Sequence, residues 1–334
     1  MTLHLHGLGH FHPENEITNR FLEELDIGTD DDWILDRVGI RSRRTMLPLD
    51  YIRETRNRDP REALEAAELS NAQTAAAAAR MAIERAGIDS SEIGMVIAGS
   101  SAADTASPAE ACNIARELEL EVPAFDVNSA CTSFFVQLHL LSLMRPEALP
   151  RYVLLAAPEG LTRTVDYTDR SSAVLWGDAA AAAVLSTSVE GIASIAETSL
   201  VSSPAGSDKV VVPRIGHFRQ EGRTVQMFAI KKTVQILRRF QQEHEDSDRA
   251  FHFVGHQANL RMLETVCSRC RIPEDRHHSN VEWYGNTAAA SSASVISMDW
   301  DKWKAGDDIA VAGVGSGLTW SGYLVQFGHG GEKS

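Results

Sequence analysis

Residues 122–134 read VPAFDVNSACTSF, an apolar run that ends at a cysteine and passes directly into a helix-forming stretch. The run over 122–127 is typical of a buried strand, and residues 132–144 are typical of a helix. Cys131 is therefore predicted at a strand-to-helix turn. Because backbone N–H groups at a helix start favour negative charge, we expect the Cys131 thiolate to form more easily than that of a free thiol.

Two later segments have the same layout and supply partners for such a cysteine. GHQAN (255–259) follows a strand-like run over 250–254, and YGNT (284–287) follows another over 280–283. These segments contribute His256 and Asn286. A histidine and an asparagine can hold a substrate carbonyl oxygen or transfer a proton beside a cysteine nucleophile. Cys131, His256 and Asn286 are the predicted catalytic residues.

Strands and helices alternate along the chain with short connections. A helix is predicted over 71–86, ended by Gly87, and strands are predicted over 93–98 and 152–157. A helix over 227–243 and a strand over 309–314 follow in the second part of the chain. The pattern predicts an α/β protein with two similar βαβ-rich halves, 1–190 carrying the cysteine and 191–334 carrying the histidine and asparagine. The site is expected where strand ends from both halves meet.

Composition and charge argue against several function classes. The chain has 334 residues, of which 43% are hydrophobic, enough to bury a large core. Its 32 Lys and Arg against 46 Asp and Glu give a net charge of −14, which disfavours nucleic acid or an anionic membrane as a partner. Without a membrane-length apolar stretch or a signal-peptide layout, a cytoplasmic protein is expected. Four cysteines in a chain this long do not indicate a disulfide framework.

In these features the sequence resembles the β-ketoacyl-acyl carrier protein synthase III family, condensing enzymes of the thiolase fold. The resemblance extends over nearly the whole chain and implies a five-layered αβαβα arrangement. It rests on seven motifs in the family's order: GHFHPENEITN (9–19), DDWILDRVGIRSR (31–43), PAFDVNSAC (123–131), WGDAAAAAVL (176–185), HQANLR (256–261), GNTAAAS (285–291) and GSGLTW (315–320).

The resemblance implies a role for each catalytic residue. Cys131 would take an acyl group from coenzyme A. His256 and Asn286 would bind the thioester oxygen of a malonyl group on acyl carrier protein, drive loss of carbon dioxide and stabilise the enolate that attacks the acyl-cysteine. A β-ketoacyl-acyl carrier protein is the other extender that the resemblance implies for this decarboxylating condensation. Fixed donors suit such an oxyanion, and the backbone N–H groups of Cys131 and Ser316 would hold a second one. The family usually has glycine where Ser316 stands, and it implies no cofactor, since coenzyme A thioesters are substrates.

Binding residues follow from the same resemblance. Trp33 and Arg37, four apart on a helix, match positions that stack and pair with the adenine of coenzyme A, and Arg163 matches another nucleotide contact. Asn259 would position the pantetheine arm. A surface tryptophan beside a salt-bridged arginine is the structural alternative.

Further expectations concern acyl carrier protein, the acyl chain and the oligomer. Because the carrier is acidic, an acidic enzyme needs a basic patch to bind it, although a solvated helix face would look the same. Ser107 replaces the bulky residue found near the acyl pocket of acetyl-primed members, which would admit a longer chain. Segment 103–108 matches the region that lines the partner's pocket in a homodimer. The candidate docking residues are Lys231, Lys232, Arg238, Arg239 and Arg261.

Other functions stay open at this point. The arginine-rich segment 47–60 and the Asn128–Ser129 pair are similar to ketosynthases that join two β-keto chains into dialkylresorcinol or cyclohexanedione rings. An ester-forming acyltransferase would not need Asn286, and a non-catalytic partner subunit would not need Cys131. A papain-like hydrolase uses the same three residue types within a different local signature. The CSRC spacing over 267–270 resembles half a zinc site without a second pair, so no metal is expected.

Overall fold

A computed structural model describes residues 2–244 and 248–328 of the chain. The strands are β1 (Leu3–Phe11), β2 (Asn15–Thr18), β3 (Ser42–Thr45), β4 (Ile93–Ala98), β5 (Ala124–Asp126), β6 (Tyr152–Glu159), β7 (Ala179–Ser186), β8 (Ala193–Ser202), β9 (Val210–Val211), β10 (Arg219–Gln220), β11 (Ala250–Gly255), β12 (His277–His278), β13 (Asp307–Gly315) and β14 (Thr319–Phe327). The helices are α1 (Asn19–Glu24), α2 (Asp31–Arg37), α3 (Leu49–Thr55), α4 (Glu62–Ala66), α5 (Asn71–Ala86), α6 (Glu110–Glu117), α7 (Ser133–Leu143), α8 (Arg170–Ala173), α9 (Gly222–His244), α10 (Leu260–Cys270), α11 (Val281–Tyr284) and α12 (Ser291–Met298).

Ten of these strands form a mixed sheet in the order β12-β11-β13-β14-β8-β1-β7-β6-β4-β5. The order is a repeat: β5-β4-β6-β7-β1 and β12-β11-β13-β14-β8 have the same pattern of parallel and antiparallel neighbours, and β1 pairs with β8 between them. The predicted boundary at 190/191 lies between β7 and β8. The division into two halves remains a prediction, which this repeated order supports.

Helices cover the sheet in layers. On one side α5 packs on β1 and β7 and α6 packs on β4 and β5, while α9 packs on β13 and β14 in the other half. Between the halves, α7 contacts β6, β8 and β14, and α12 contacts β1, β7 and β11. Strands covered on both faces are apolar throughout, as in the buried run AAAAAVLS of β7. The result is the expected αβαβα arrangement, in which the middle helices are buried along most of their length.

Most predicted elements are confirmed. Helix α5 begins after Ser70, whose side chain forms a capping box with Gln73, and ends at Gly87 in the left-handed region (φ 65°). Strand β4 has the predicted bounds, whereas the strand predicted over 122–127 shortens to β5. Within residues 2–244 and 248–328, no helix is both long and apolar enough to cross a membrane.

The strand predicted over 280–283 is wrong, because this segment forms the short helix α11. The neighbouring edge position of the sheet is taken by β12, which pairs with β11. The side-chain oxygen of Gln257 accepts the N–H groups of Asn280 and Val281 at 3.0 and 3.2 Å, which satisfies the first donors of the turn. Gly285 (φ 66°) then ends the helix.

Candidate active site

Cys131 lies in the turn between β5 and α7 and is 8% exposed. The preceding residue, Ala130, has a left-handed backbone (φ 48°), and its N–H donates to Asn128 Oδ1 at 2.8 Å. The cysteine lines a cavity of about 300 Å³, hereafter the Cys131 pocket. Residues from both sides of the predicted boundary at 190/191 line its wall. The predicted site residues that line it are Cys131, His256, Asn286, Ser316, Trp33, Arg37 and Asn259.

His256 follows the end of β11 and is oriented by a hydroxyl group. Its Nδ1 lies 2.8 Å from Ser291 Oγ, which also accepts the N–H of Gln257 at 3.3 Å. The Ser291 O–H can donate to Nδ1 in the tautomer that carries the ring hydrogen on Nε2. Burial lowers the pKa of His256 to about 4, so the ring is neutral near pH 7. His256 is thus suited to donate an N–H without carrying charge.

Asn286 is held by its backbone and by its side-chain oxygen. Its N–H donates to the Leu175 carbonyl at 2.8 Å, and its carbonyl accepts the Gly177 N–H at 3.1 Å. The Oδ1 atom accepts the Ala288 N–H at 3.0 Å, so the Nδ2 amide is the group left to act as a donor. Gly285 is required before it, because an added Cβ would lie 2.7 Å from the Leu175 carbonyl oxygen.

Ser316 follows β13 and lies against the cysteine turn. A Cβ added to the adjacent Gly315 would lie 3.0 Å from the Thr132 nitrogen, which shows how closely the two turns approach. The Ser316 hydroxyl donates to the Val210 carbonyl at 2.5 Å. The serine that replaces the usual glycine therefore turns its side chain toward β9. Its backbone remains at the pocket.

The thiol of Cys131 does not have the easy ionisation expected from its helix position. Burial, followed by the charge of Glu159, raises the pKa of Cys131 to about 12. The N–H groups of Thr132 and Ser133 at the helix start already donate to the carbonyls of residues 129 and 130. Burial therefore outweighs the helix-start effect in this structure.

The mouth of the pocket carries an aromatic ring and two guanidinium groups. Trp33 and Arg37 lie on α2, with the Arg37 Cζ atom 5.7 Å from the indole centre. Arg170, which sequence analysis missed, lies closer, with its Cζ 4.8 Å from the same ring. Asn259 caps α10 through Met262 N at 3.1 Å, and its Nδ2 donates to the Arg37 carbonyl at 3.4 Å.

Arg163 does not lie with this group, so the structure does not support the expected nucleotide contact. The residue is 4% exposed, and its guanidinium pairs with Asp104 at 2.6 Å. Further N–H groups donate to the Gly160 and Ala102 carbonyls at 3.1 and 2.9 Å. It lines a second cavity, of about 520 Å³, and not the Cys131 pocket. Its hydrogen-bonding capacity is thus largely used inside the fold.

Ser107 also lies outside the Cys131 pocket of its own chain. It is exposed in the loop between β4 and α6, next to Pro108. An acyl-pocket role within one chain is therefore not supported, and a role across a dimer interface remains a prediction.

The predicted basic patch divides into separate parts. Lys231 and Arg238, seven residues apart, are exposed on α9. Lys232 instead lies over Trp320, with Nζ 3.8 Å from the ring centre, and Arg239 forms an ion pair with Glu197. Arg261 lies apart on α10 and pairs with Glu264 at 3.0 Å. The predicted basic patch is therefore not continuous, since two of its members face neighbouring side chains.

The layered αβαβα fold, with one pocket lined by a cysteine, a histidine and an asparagine, is that of an acyl-transferring enzyme of the thiolase fold. Two family models match the chain: "3-Oxoacyl-[acyl-carrier-protein (ACP)] synthase III" over residues 125–204, and the C-terminal model of that family over 241–327. The chain is 30% identical to a β-ketoacyl-[acyl-carrier-protein] synthase III of Coxiella burnetii, covering 96% of this chain and 98% of that protein.

Solved structures agree with this assignment. The 3-oxoacyl-[acyl-carrier-protein] synthase III of Aquifex aeolicus VF5 superimposes with a TM-score of 0.85 at 27% identity, over 97% of this chain and 100% of that one. The priming β-ketosynthase of the R1128 polyketide pathway gives 0.79 at 28% identity, over 98% and 96%. The chain belongs to the 3-oxoacyl-(acyl carrier protein) synthase III family and is an acyl-transferring condensing enzyme.

Proposed function

We propose that this protein carries out a decarboxylating condensation in which an acyl group is first loaded on Cys131. The sulfur attacks the thioester carbon of an acyl-coenzyme A, the acyl group transfers, and the proton leaves with the coenzyme A thiol. Convergence of Cys131, His256 and Asn286 from both halves on one buried pocket is the observation that carries this proposal.

The second half-reaction would use the two side-chain donors. A malonyl thioester on acyl carrier protein would place its carbonyl oxygen between His256 Nε2–H and Asn286 Nδ2–H. Loss of carbon dioxide then gives an enolate whose charge both donors stabilise. The enolate attacks the acyl-cysteine, the backbone N–H groups of Cys131 and Ser316 hold the resulting oxyanion, and the cysteine sulfur leaves. Neutral, fixed donors suit this step, since they stabilise developing charge without giving up a proton.

The pocket mouth supports coenzyme A as the acyl donor. An adenine ring would stack on Trp33, with Arg37 and Arg170 available to its edge and to phosphate groups. Asn259, which ties α10 to α2, stands between this mouth and His256 and would contact the pantetheine arm. We assign the second guanidinium contact to Arg170 instead of Arg163.

Acyl carrier protein would dock beside the pocket through the exposed cations that face solvent. Lys231 and Arg238 on α9 satisfy this requirement. Arg261 on α10 offers a further contact, although Glu264 competes for it. Arg239 and Lys232 contribute less, because each already contacts a neighbouring side chain. Charge attraction of this kind steers an acidic carrier to an enzyme that is acidic overall.

A homodimer in the cytoplasm completes the proposal. Strand β5 is one edge of the ten-stranded sheet, and its Phe125 is 36% exposed, so two copies could pair edge to edge. The exposed loop with Ser107 lies in the same half of the sheet and would then meet the partner's pocket. Light scattering that finds an active monomer would contradict this part of the proposal.

A second candidate is the joining of two β-keto chains into a dialkylresorcinol-type ring. The observation in its favour is the cavity of about 520 Å³, where Pro60 and Arg61, at the end of the arginine-rich segment, meet Asn128 from the cysteine turn. Such a space could hold a second chain. Supplying β-ketoacyl-carrier substrates and searching for a ring product by mass spectrometry would distinguish this reaction from simple chain initiation.

Intact-protein mass spectrometry tests the main proposal. The protein is mixed with acetyl-, octanoyl- and dodecanoyl-coenzyme A, and the mass added to the chain identifies the acyl group. We expect loading on the unaltered protein and none on Cys131→Ala. Subsequent addition of malonyl-carrier protein should release the acyl group as a 3-oxoacyl product. An unaltered protein that accepts no acyl group would contradict the assignment.

A further inference from the structure

Glu159 is a buried carboxyl group to which the reaction steps above give no role. It is the last residue of β6 and is fully buried. Its Oε2 accepts the Ser101 N–H at 2.9 Å and the Ser100 hydroxyl at 3.3 Å. Its Oε1 accepts the Ala289 N–H at 3.2 Å and the Ser101 hydroxyl at 3.1 Å. Both carboxyl oxygens are thus used, and each holds one backbone N–H group.

These contacts connect the carboxyl group to the turn that carries Asn286. Ala288 and Ala289 are consecutive, and their two N–H groups have different acceptors: the first donates to Asn286 Oδ1, the second to Glu159. Glu159 belongs to the half that carries Cys131, whereas Asn286 belongs to the other half. A displacement of the carboxyl group would therefore move the Ala288–Ala289 peptide, which directly follows the Ala288 N–H that holds the Asn286 side chain.

The same group acts on Cys131 through its charge. Within residues 2–244 and 248–328, no lysine, arginine or histidine forms an ion pair with Glu159, and its hydrogen-bond partners Ser100, Ser101 and Ala289 are uncharged. Ionised Glu159 opposes formation of the Cys131 thiolate and raises the pKa of that thiol. Burial raises the pKa of Glu159 itself to about 8. The carboxyl group thus changes charge in a pH range where the enzyme can be assayed.

We propose that Glu159 is a positioning residue for condensation, which holds the Ala289 N–H next to the residue that fixes the Asn286 side chain. This rests on the proposed function for the effect on condensation. The effect on the cysteine stands independently, because the reactivity of a thiol can be measured without any substrate.

Glu159→Gln separates the two effects, since they change in opposite directions. Above about pH 8, where Glu159 is ionised, removing the negative charge should make Cys131 ionise more easily, so alkylation by iodoacetamide at a fixed pH in that range should be roughly tenfold faster, the effect of about one pKa unit from a neighbouring like charge. Below that range the two proteins should react alike. Glutamine offers only one acceptor oxygen for the Ser101 and Ala289 N–H groups, so one of them loses its partner. Condensation should then fall about tenfold or more.

Two further variants complete the test. Glu159→Asp keeps the charge but shortens the side chain, so the alkylation profile should keep its position while condensation falls. Glu110→Gln is the matched control: Glu110 is also buried, accepts the Asp104 N–H at 2.9 Å and lies outside the Cys131 pocket. We expect this control to leave both the alkylation profile and the condensation rate unchanged.

The measurements are alkylation rate from pH 6 to 10, acyl loading by intact mass, condensation turnover and thermal unfolding. Unchanged condensation in a folded Glu159→Gln, or an equal loss of loading and condensation, would overturn the proposal. An unshifted alkylation profile would show that the carboxyl charge does not act on Cys131. Should Glu159→Gln not fold, unchanged condensation in a folded Glu159→Asp would overturn it as well. Failure of the unaltered protein to condense substrates would instead refute the proposed function, while the alkylation profiles would still decide the charge effect.

Discussion

Replacing Asn286 by alanine should separate acyl loading from condensation. The change removes the Nδ2 donor and the oxygen that accepts the Ala288 N–H at 3.0 Å. The backbone bonds of residue 286 to Leu175 and Gly177 do not depend on its side chain, so the turn keeps its main anchors. The damage should therefore be confined to the oxyanion donor and one hydrogen bond.

The magnitude follows from the role of the lost donor. Removal of a single oxyanion-hole donor typically costs about a hundredfold to a thousandfold in rate, or about 2.7–4 kcal/mol of transition-state stabilisation. Acyl loading needs the sulfur and the Cys131 and Ser316 N–H groups, so it should stay within about twofold of the unaltered protein. The lost Ala288 hydrogen bond should cost roughly 1 kcal/mol of folding free energy.

The assay measures both half-reactions on the same preparation. Intact mass gives the rate of Cys131 acylation, and product analysis after adding malonyl-carrier protein gives the rate of condensation. Asn280→Ala is the matched control, because Asn280 is also buried but bonds Ser294 and lies outside the Cys131 pocket. The reasoning is refuted if Asn286→Ala retains full condensing activity, or if Asn280→Ala loses it to the same extent.

The remaining predictions concern binding, chain length and acid stability. Arg170→Ala should weaken coenzyme A binding about two- to fivefold, since an exposed cation–π contact between this guanidinium and the bound adenine would contribute about 0.5–1 kcal/mol. Arg163→Ala should instead lower the free energy of unfolding by roughly 3 kcal/mol, because Asp104 would lose its buried partner. Calorimetric titration with coenzyme A and thermal unfolding test both variants. If Arg163→Ala weakens binding and Arg170→Ala lowers stability, Arg163 belongs to the nucleotide site after all. Ser107→Phe should shift the preferred primer toward shorter chains, because each methylene group that can no longer be buried costs about 0.8 kcal/mol. Acylation rates with acetyl-, octanoyl- and dodecanoyl-coenzyme A measure this preference. An unchanged preference would mean that other residues limit the chain length. Stability should fall as the pH drops from about 6.5 to about 4. In this range the unfolded chain protonates His256, whereas in the folded protein the pKa of His256 is lowered to about 4 and the ring stays neutral. Thermal unfolding in that range should show a smaller fall for His256→Gln, and an equal fall would mean that other groups control acid stability.

Local features of the sequence determined the elements whose ends depend on neighbouring residues. Helix α5 is an example, because the Ser70–Gln73 capping box and the left-handed Gly87 act within a few residues of its ends. Strand β4 likewise has the predicted bounds. The family motifs predicted that Cys131, His256 and Asn286 share one site. What the fold adds is to bring together the ends of the elements that carry them.

The tertiary structure decided what depends on residues far apart in the chain. Segment 280–283 is apolar enough for a strand, but it forms a helix. The Gln257 side chain accepts its first N–H groups, and β12 occupies the edge of the sheet. Arg163 matches a nucleotide contact by its motif, yet burial makes pairing with Asp104 the stronger requirement. The pKa of Cys131 depends on burial and on Glu159, which a helix-start motif does not report. Charge, burial and competing partners are properties of the packed molecule, and the sequence could not supply them because they arise only when distant segments meet.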